Sequence, residues 1–285
     1  MGYDAFYSES VGKVYGANMS MGNLKKACAD SAESDVTILT VGTGAGGEVE
    51  ETDRRDITLT PEELDALRYL RKYTKKLVVV VYAGSAVDLA VFDELADAAV
   101  LAGFGGQNVS RAVANVLSGN VNPSGRLTET YAYSIKDIPS KNTTRNESRM
   151  VYEEKLNVGY RYFTTANVPV LYPFGYGLSY TDFRYSNLQI TQEQENILVS
   201  VDVENIGDIG GKEVVQLYIS PKKPSVDRPV RELKAFQKIF VKAGSKVTVT
   251  IQLDKDAFSY YDEQCHCWRA KNGEYSLQIC KMLTR

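Results

Sequence analysis

A chain of 285 residues is long for one small domain, and length alone suggests about two. With 44% apolar and 24% charged residues it has the make-up of an ordinary globular protein. A net charge of -3 gives no electrostatic case for nucleic acid or an anionic membrane as a partner, and no apolar run approaches the roughly 20 residues that span a bilayer.

The opening stretch, MGYDAFYSESVGKVYG, lacks the basic and apolar regions of a signal peptide, so a cytoplasmic location is expected. From Asp35 the chain alternates strand and helix signals. DVTILTVG, Asp35 to Gly42, is a β-branched run ending in glycine and reads as a buried parallel strand. LTPEELDALRYLRKYTKK, Leu59 to Lys76, reads as a helix. Thr60 is its N-cap, Pro61 fits the first turn and Glu63 completes a capping box. Leu64, Leu67, Leu70 and Tyr73 recur near the helical period. LVVVVYAG, Leu77 to Gly84, and DAAVLAG, Asp97 to Gly103, read as second and third strands. NVSRAVANVLSG, Asn108 to Gly119, reads as a second helix closed by glycine, and NPSGRL, Asn122 to Leu127, as a turn. Strands alternating with helices imply an open, mostly parallel sheet in an α/β three-layer sandwich over residues 1–135.

Residues 136–180 break that pattern and read as a long Tyr- and Gly-rich connecting loop. The stripe Tyr152, Tyr160, Tyr162, Phe163, Tyr172, Phe174, Tyr176 and Tyr180 is either packing with bonded hydroxyls or a sugar platform, and packing is the commoner use. Beyond Tyr180 the period becomes two. FRYSNLQI, ILVSVDVEN, EVVQLYIS, RELKAFQKIFV, KVTVTIQLD and EYSLQIC, separated by turn residues, predict an all-β immunoglobulin or fibronectin III-like sandwich over 181–285. Of the four cysteines, Cys28, Cys265, Cys267 and Cys280, three lie near the end of the chain. Zinc takes four ligands, usually in two spaced pairs. Cys265 and Cys267, around the sole histidine His266, instead alternate like a strand and share one face, so no metal is expected.

The chemistry concentrates in GTGAGGEVEETDRRD, Gly42 to Asp56. In an open parallel sheet, ligands bind outside the carboxyl ends of the strands, and this segment directly follows the first strand. Gly42, Gly44 and Gly47 have the spacing of a dinucleotide fingerprint. However, no helix starts there, and four acids follow that would repel a pyrophosphate, so no nucleotide cofactor is expected.

Several segments together resemble glycoside hydrolase family 3: VYEEKLNVGYRYF with LYPFGYGLSYTDF, NPSGRL, VENIGDIGGKEVVQLYI with RPVRELKAFQKI, and EVEETDRRDITLTPEEL with its E-x-x-D-R core. They occur in the family's order, between about Val14 and Cys280. The resemblance implies a retaining exo-β-glycosidase of β-glucosidase or β-xylosidase type, acting on a β-linked glucoside or xyloside and using no cofactor. It assigns the general acid/base to Glu50, three positions before Asp53. Spacing alone does not separate Glu50 from Glu51 and Glu48. Asp53 with Arg54 or Arg55 is read as bracing the loop.

Such hydrolysis needs two carboxyl groups about 5–5.5 Å apart. The acid must also be held above its ordinary pKa near 4.3, which neighbouring negative charge and desolvation both favour. The family's nucleophile is an aspartate on a barrel domain, and these residues do not read as the eight strand–helix units of a barrel. The nucleophile is therefore expected on a separate chain or a missing segment, leaving this polypeptide incomplete as an enzyme and its uncovered surface open to self-association. A non-catalytic carbohydrate-binding or scaffold module on the same fold is the alternative. The residues that bind the sugar are not identified by the sequence.

Overall fold

In the computed structural model, residues 21–43, 54, 56–139, 144–146 and 149–283 are described. The chain forms two compact units, residues 1–114 with 133–135 and residues 115–132 with 136–285.

The first unit begins with α1 (Met21–Glu33) and β1 (Thr37–Gly42). It continues through α2 (Pro61–Tyr73), β2 (Leu77–Tyr82), α3 (Ala90–Leu95) and β3 (Ala98–Leu101) to the start of α4 (Val109–Leu117), whose last three residues belong to the second unit. β1 pairs with β2 from Thr37↔Leu77 to Gly42↔Tyr82, and β2 with β3 from Val78↔Ala98, all parallel. The open parallel sheet read from the sequence is therefore present, in the order β1-β2-β3.

The capping box closes α2 as expected. The Thr60 side chain accepts from the Glu63 N–H, and the Glu63 carboxylate accepts from the Thr60 N–H. The buried face of α2 is Glu63, Ala66, Leu67 and Leu70. Leu67 and Leu70 match the apolar spacing, whereas Tyr73, the last residue of the helix before its C-cap Thr74, is exposed.

Two of the three strands differ from the expectation of full burial. β2 buries Leu77, Val79, Val80 and Val81, as the central strand of three should. β1 instead alternates, with Leu39 and Val41 inside and Ile38 exposed, and β3 is mostly exposed. Among the described residues both stand at the sides of the sheet, and an apolar run does not by itself bring a second covering layer. α1 and α3 carry little sequence signal. The first has a weak apolar stripe in an Ala- and Lys-containing segment, and the second is only six residues long.

The second unit takes up the stretch between the two patterns as well as the sandwich. Its connecting part contains β4 (Tyr131–Ala132), the hairpin β5 (Thr144–Asn146) and β6 (Arg149–Val151), α5 (Tyr160–Thr165), and β7 (Val170–Tyr172), which pairs with β4. The sandwich strands are β8 (Phe183–Glu193), β9 (Asn196–Asn205), β10 (Gly211–Pro221), β11 (Glu232–Val241) and β12 (Lys246–Leu253). They are followed by the hairpin β13 (Ser259–Asp262) and β14 (Cys267–Ala270), then β15 (Tyr275–Cys280).

The main strands form two three-stranded sheets, β12-β9-β8 and β11-β10-β15. Alternation supplies the core between them. Val199, Val201, Val203, Val249, Ile251 and Leu253 come from one sheet, and Val215, Leu217, Ile219 and Val241 from the other. All six strands read from the sequence are present. Cys265 is a correction: it lies in the β13–β14 turn rather than on a strand face with Cys267, because His266 takes a positive φ of 50° and reverses the chain.

Aromatic residues of the connecting part pack within this unit. The Tyr160 ring lies 5.1 Å from Phe174 and 5.8 Å from Tyr218, and its hydroxyl accepts from the Leu233 N–H. Phe163 is buried, Tyr172 stacks on Tyr176, and the Tyr180 hydroxyl donates to the Val116 carbonyl.

Beside them lies a buried ion pair. Arg126 of the NPSGRL turn donates through Nη2 to both oxygens of Glu213 at 3.1 and 3.0 Å, and through Nη1 to the Gly177 carbonyl. The two side chains are 7% and 0% exposed. Gly177 must be glycine, since a Cβ there would stand 2.7 Å from the Gly125 carbonyl oxygen. Asn122 completes the junction, with Nδ2 donating to Ser179 Oγ and Oδ1 accepting from the Tyr180 N–H.

Removing one partner of a desolvated pair strands the other charge, at a cost of about 3–5 kcal/mol. Arg126→Ala is therefore expected to lower denaturant stability by about that much, and Arg126→Met with Glu213→Leu to recover most of it; a double variant no better than the single would contradict this reading.

Asp97 links α2 and β2. Its carboxylate accepts from the Leu77 N–H at 2.7 Å and pairs with Arg71 at 2.6 Å. These contacts, the Leu77 N–H foremost, hold its pKa below the ordinary carboxylate value. A pKa depressed on folding contributes stability above the unfolded value near 3.9, and that contribution is lost as pH falls through the folded value. Asp97→Asn should therefore flatten the fall in stability below about pH 4, read from urea midpoints against pH. An unchanged acid limb would contradict the assignment.

Candidate active-site loop

The segment between β1 and α2 is the candidate site. Both of its ends converge on Glu63, which is 4% exposed. Glu63 Oε1 accepts from the Gly42 N–H at 3.0 Å, where β1 ends. Glu63 Oε2 accepts from the Thr60 N–H and from Thr60 Oγ1, each at 3.0 Å, where α2 begins. One buried carboxylate thus fixes both ends of the intervening segment. Gly42 is required for a steric reason, since a Cβ there would lie 2.0 Å from the Tyr82 carbonyl oxygen of the paired strand. Its N–H is satisfied by Glu63, and the next N–H, of Thr43, donates to the Tyr82 carbonyl.

The returning half of the segment is tied to the loop that follows β2. Arg54 Nη1 donates to Ser85 Oγ at 3.0 Å and to the Ala86 carbonyl at 2.8 Å. The Asp88 N–H donates to the Ile57 carbonyl at 2.7 Å, and Asp88 Oδ1 then accepts from Ala90 N–H at the start of α3. Asp56 caps its own turn by accepting from the N–H and Oγ1 of Thr58, contacts that lower its pKa. The segments leaving β1 and β2 are therefore joined at the carboxyl edge of the parallel sheet, the edge where open α/β sheets bind ligands.

Of the residues singled out from the sequence, Arg54 is placed here and holds the loop. Glu50, Glu51, Glu48 and Asp53 lie outside the described residues, as does Arg55. Sequence reasoning identified Thr60 and Glu63 as a helix start but missed the bond from Gly42. It also missed Ser85 and Ala86, since contacts across 21 and 31 positions leave no local pattern. Among the described residues no cluster of three or more His, Cys, Asp or Glu side chains is arranged to hold a metal ion.

Glu63→Ala removes the acceptor of two backbone N–H groups and half of a capping box. At about 1 kcal/mol for the cap and 1–3 kcal/mol for a buried donor left unpaired, it should cost about 2–4 kcal/mol. Glu63→Gln keeps one acceptor oxygen and should cost less. Equal stability of both variants with the parent in urea melts would refute the double clamp.

The glycosyl hydrolase family 3 C-terminal domain profile matches residues 9–180, and the fibronectin type III-like domain profile matches residues 213–281. The thermostable beta-glucosidase B of Acetivibrio thermocellus is 38% identical over 261 residues, covering 90% of this chain and 34% of that protein. An exo-alpha-(1->6)-L-arabinopyranosidase of Bifidobacterium breve is 34% identical over 256 residues, covering 89% of this chain and 34% of that protein. The crystal structure of a Bifidobacterium adolescentis GH3 beta-glucosidase superposes with a TM-score of 0.89 at 32% identity, over 93% of this chain and 40% of that one. The chain thus spans about a third of the length of the curated relatives it matches. Its parallel-sheet domain and the β-sandwich that follows, with the sequence of both, show that the chain belongs to glycoside hydrolase family 3.

Proposed function

We infer that the chain is the acid/base-bearing part of a retaining exo-β-glycosidase, with Glu50 as the general acid/base. The observation that carries this reading is the Glu63 clamp. A loop rich in acids leaves the carboxyl end of β1, and its two ends are bound to one buried carboxylate. A catalytic acid must be placed repeatably, and binding both ends of its loop to rigid elements restricts where it can stand. Arg54, through Ser85 and Ala86, adds a third attachment four positions beyond Glu50.

In this reading Glu50 protonates the glycosidic oxygen as the bond to the anomeric carbon breaks. It then takes a proton from the water that releases the sugar. Glu48, Glu51 and Asp53 supply negative charge that favours the protonated form of Glu50. The nucleophilic aspartate belongs to a barrel domain on another chain or another segment, and the substrate is a β-linked glucoside or xyloside. Exposed apolar side chains on β1 and β3 of the parallel sheet, Ile38 and Leu101, and on the connecting part, Tyr152 and Leu178, give such a barrel, or a second copy of this chain, surface to cover.

This polypeptide alone should not hydrolyse aryl β-glycosides measurably, and adding a family barrel domain should produce turnover. In that reconstituted enzyme Glu50→Gln should slow substrates with poor leaving groups by about 100-fold or more and those with good leaving groups far less. Equal slowing of both classes would remove Glu50 from the acid role, and robust turnover by the chain alone would overturn the division of labour.

A further inference from the structure

The four cysteines divide by exposure. Cys28 is buried, and desolvation raises its pKa. Cys280 is half-buried in the last sandwich strand, and burial pushes its pKa up to about 11. The hydrogen bond with Cys265 raises the pKa of Cys267 as well, so the distinction is access: burial restricts the approach of a small disulfide to Cys28 and Cys280. Cys265 and Cys267 are both free and exposed, at the tip of the β13–β14 hairpin, with their sulfurs in direct contact at 2.6 Å.

The hairpin holds them there by several independent contacts. Asp262 Oδ1 accepts from the N–H groups of Gln264 and Cys265, and Asp262 Oδ2 pairs with Arg269 at 2.9 Å. Asp262 also pairs with Cys267 across the strands, and the neighbouring pair, Tyr261 and Trp268, packs edge to face at 5.7 Å. His266 takes the left-handed conformation that folds the intervening residue back. The turn therefore presents two accessible thiols already facing each other, an arrangement that neither the core nor the proposed glycosidase chemistry uses.

We propose that Cys265 and Cys267 form a reversible dithiol–disulfide site that exchanges with small disulfides of the glutathione class. One thiolate of the pair attacks a sulfur of the small disulfide, forming a mixed disulfide and expelling one small thiolate. The second protein thiolate then attacks the protein sulfur of that mixed disulfide and expels the other. Two protein thiols are oxidised to one disulfide, and one small disulfide is reduced to two thiols. The proximity of the pair makes the second step intramolecular, so the mixed disulfide should not accumulate.

The test is exposure of the full chain to glutathione disulfide, acid quenching, alkylation and mass analysis of the tryptic peptide Asp256–Arg269, which contains both cysteines. The expected product is that peptide lighter by two hydrogen atoms, resistant to alkylation and restored by dithiothreitol. Cys265→Ser and Cys267→Ser should each instead carry glutathione on the remaining cysteine. A synthetic peptide of the same residues should need an oxidised-to-reduced glutathione ratio about tenfold higher for half-oxidation, as expected if the folded hairpin preorganises the pair. Glutathione adducts on the parent chain, free alkylation of both thiols after exposure, or half-oxidation of peptide and protein at the same ratio would each overturn the proposal.

Discussion

The Glu63 carboxylate is the constraint on which the candidate site depends. It is buried, and its oxygens are shared between the last residue of a strand and the first turn of a helix. A capping box alone would fix only the helix. By also accepting from Gly42, Glu63 ties the strand end to the helix start, on either side of the acidic segment. A buried carboxylate is costly unless it is hydrogen-bonded, and here three donors reach its two oxygens. The arrangement is conditional on glycine at position 42, where the backbone of β1 runs against the Tyr82 carbonyl too closely for any side chain.

The second unit has an equivalent knot. Segments far apart in sequence meet at Arg126 and Glu213: the NPSGRL turn, the Tyr- and Gly-rich stretch through Gly177, and the start of strand β10. A planar guanidinium suits this junction because it can bind a carboxylate with one edge and a backbone carbonyl with another. Asn122 does similar work with its amide, binding Ser179 and the Tyr180 N–H. The segments by which the chain resembles its family are thus, in this unit, the segments that hold one another in place.

Much of this was legible in the sequence because it is local. The 3.6-residue period of α2, its Thr60 and Glu63 cap, the glycine after β1 and the alternation of β9 and β12 each follow from neighbours along the chain. What was not legible depends on distant partners. Gly42 read as part of a false nucleotide fingerprint, whereas its purpose is the close approach to Tyr82. The VTILTV run reads as buried on both faces, yet Ile38 is exposed, since composition records what a strand is able to bury and not what lies over it. Cys265 and Cys267 read as alternating strand residues because the left-handed turn at His266 has no glycine to signal it. The candidate acid was reached through the resemblance around Asp53 and Arg54, and of that cluster Arg54 is the member whose anchoring is seen directly.

If Glu50 is the acid, the buried Glu63 carboxylate positions the segment that carries it. The direct measurement is the dependence of kcat/KM on leaving-group pKa for Glu63→Ala in an enzyme reconstituted with a family barrel domain, at a temperature where the variant is fully folded. If the clamp positions the acid, poor leaving groups will lose rate more than good ones, so the dependence steepens in the direction expected for loss of the acid itself. A dependence parallel to that of the parent, with stability lowered, would mean that Glu63 holds the fold together and does nothing for the placement of the acid.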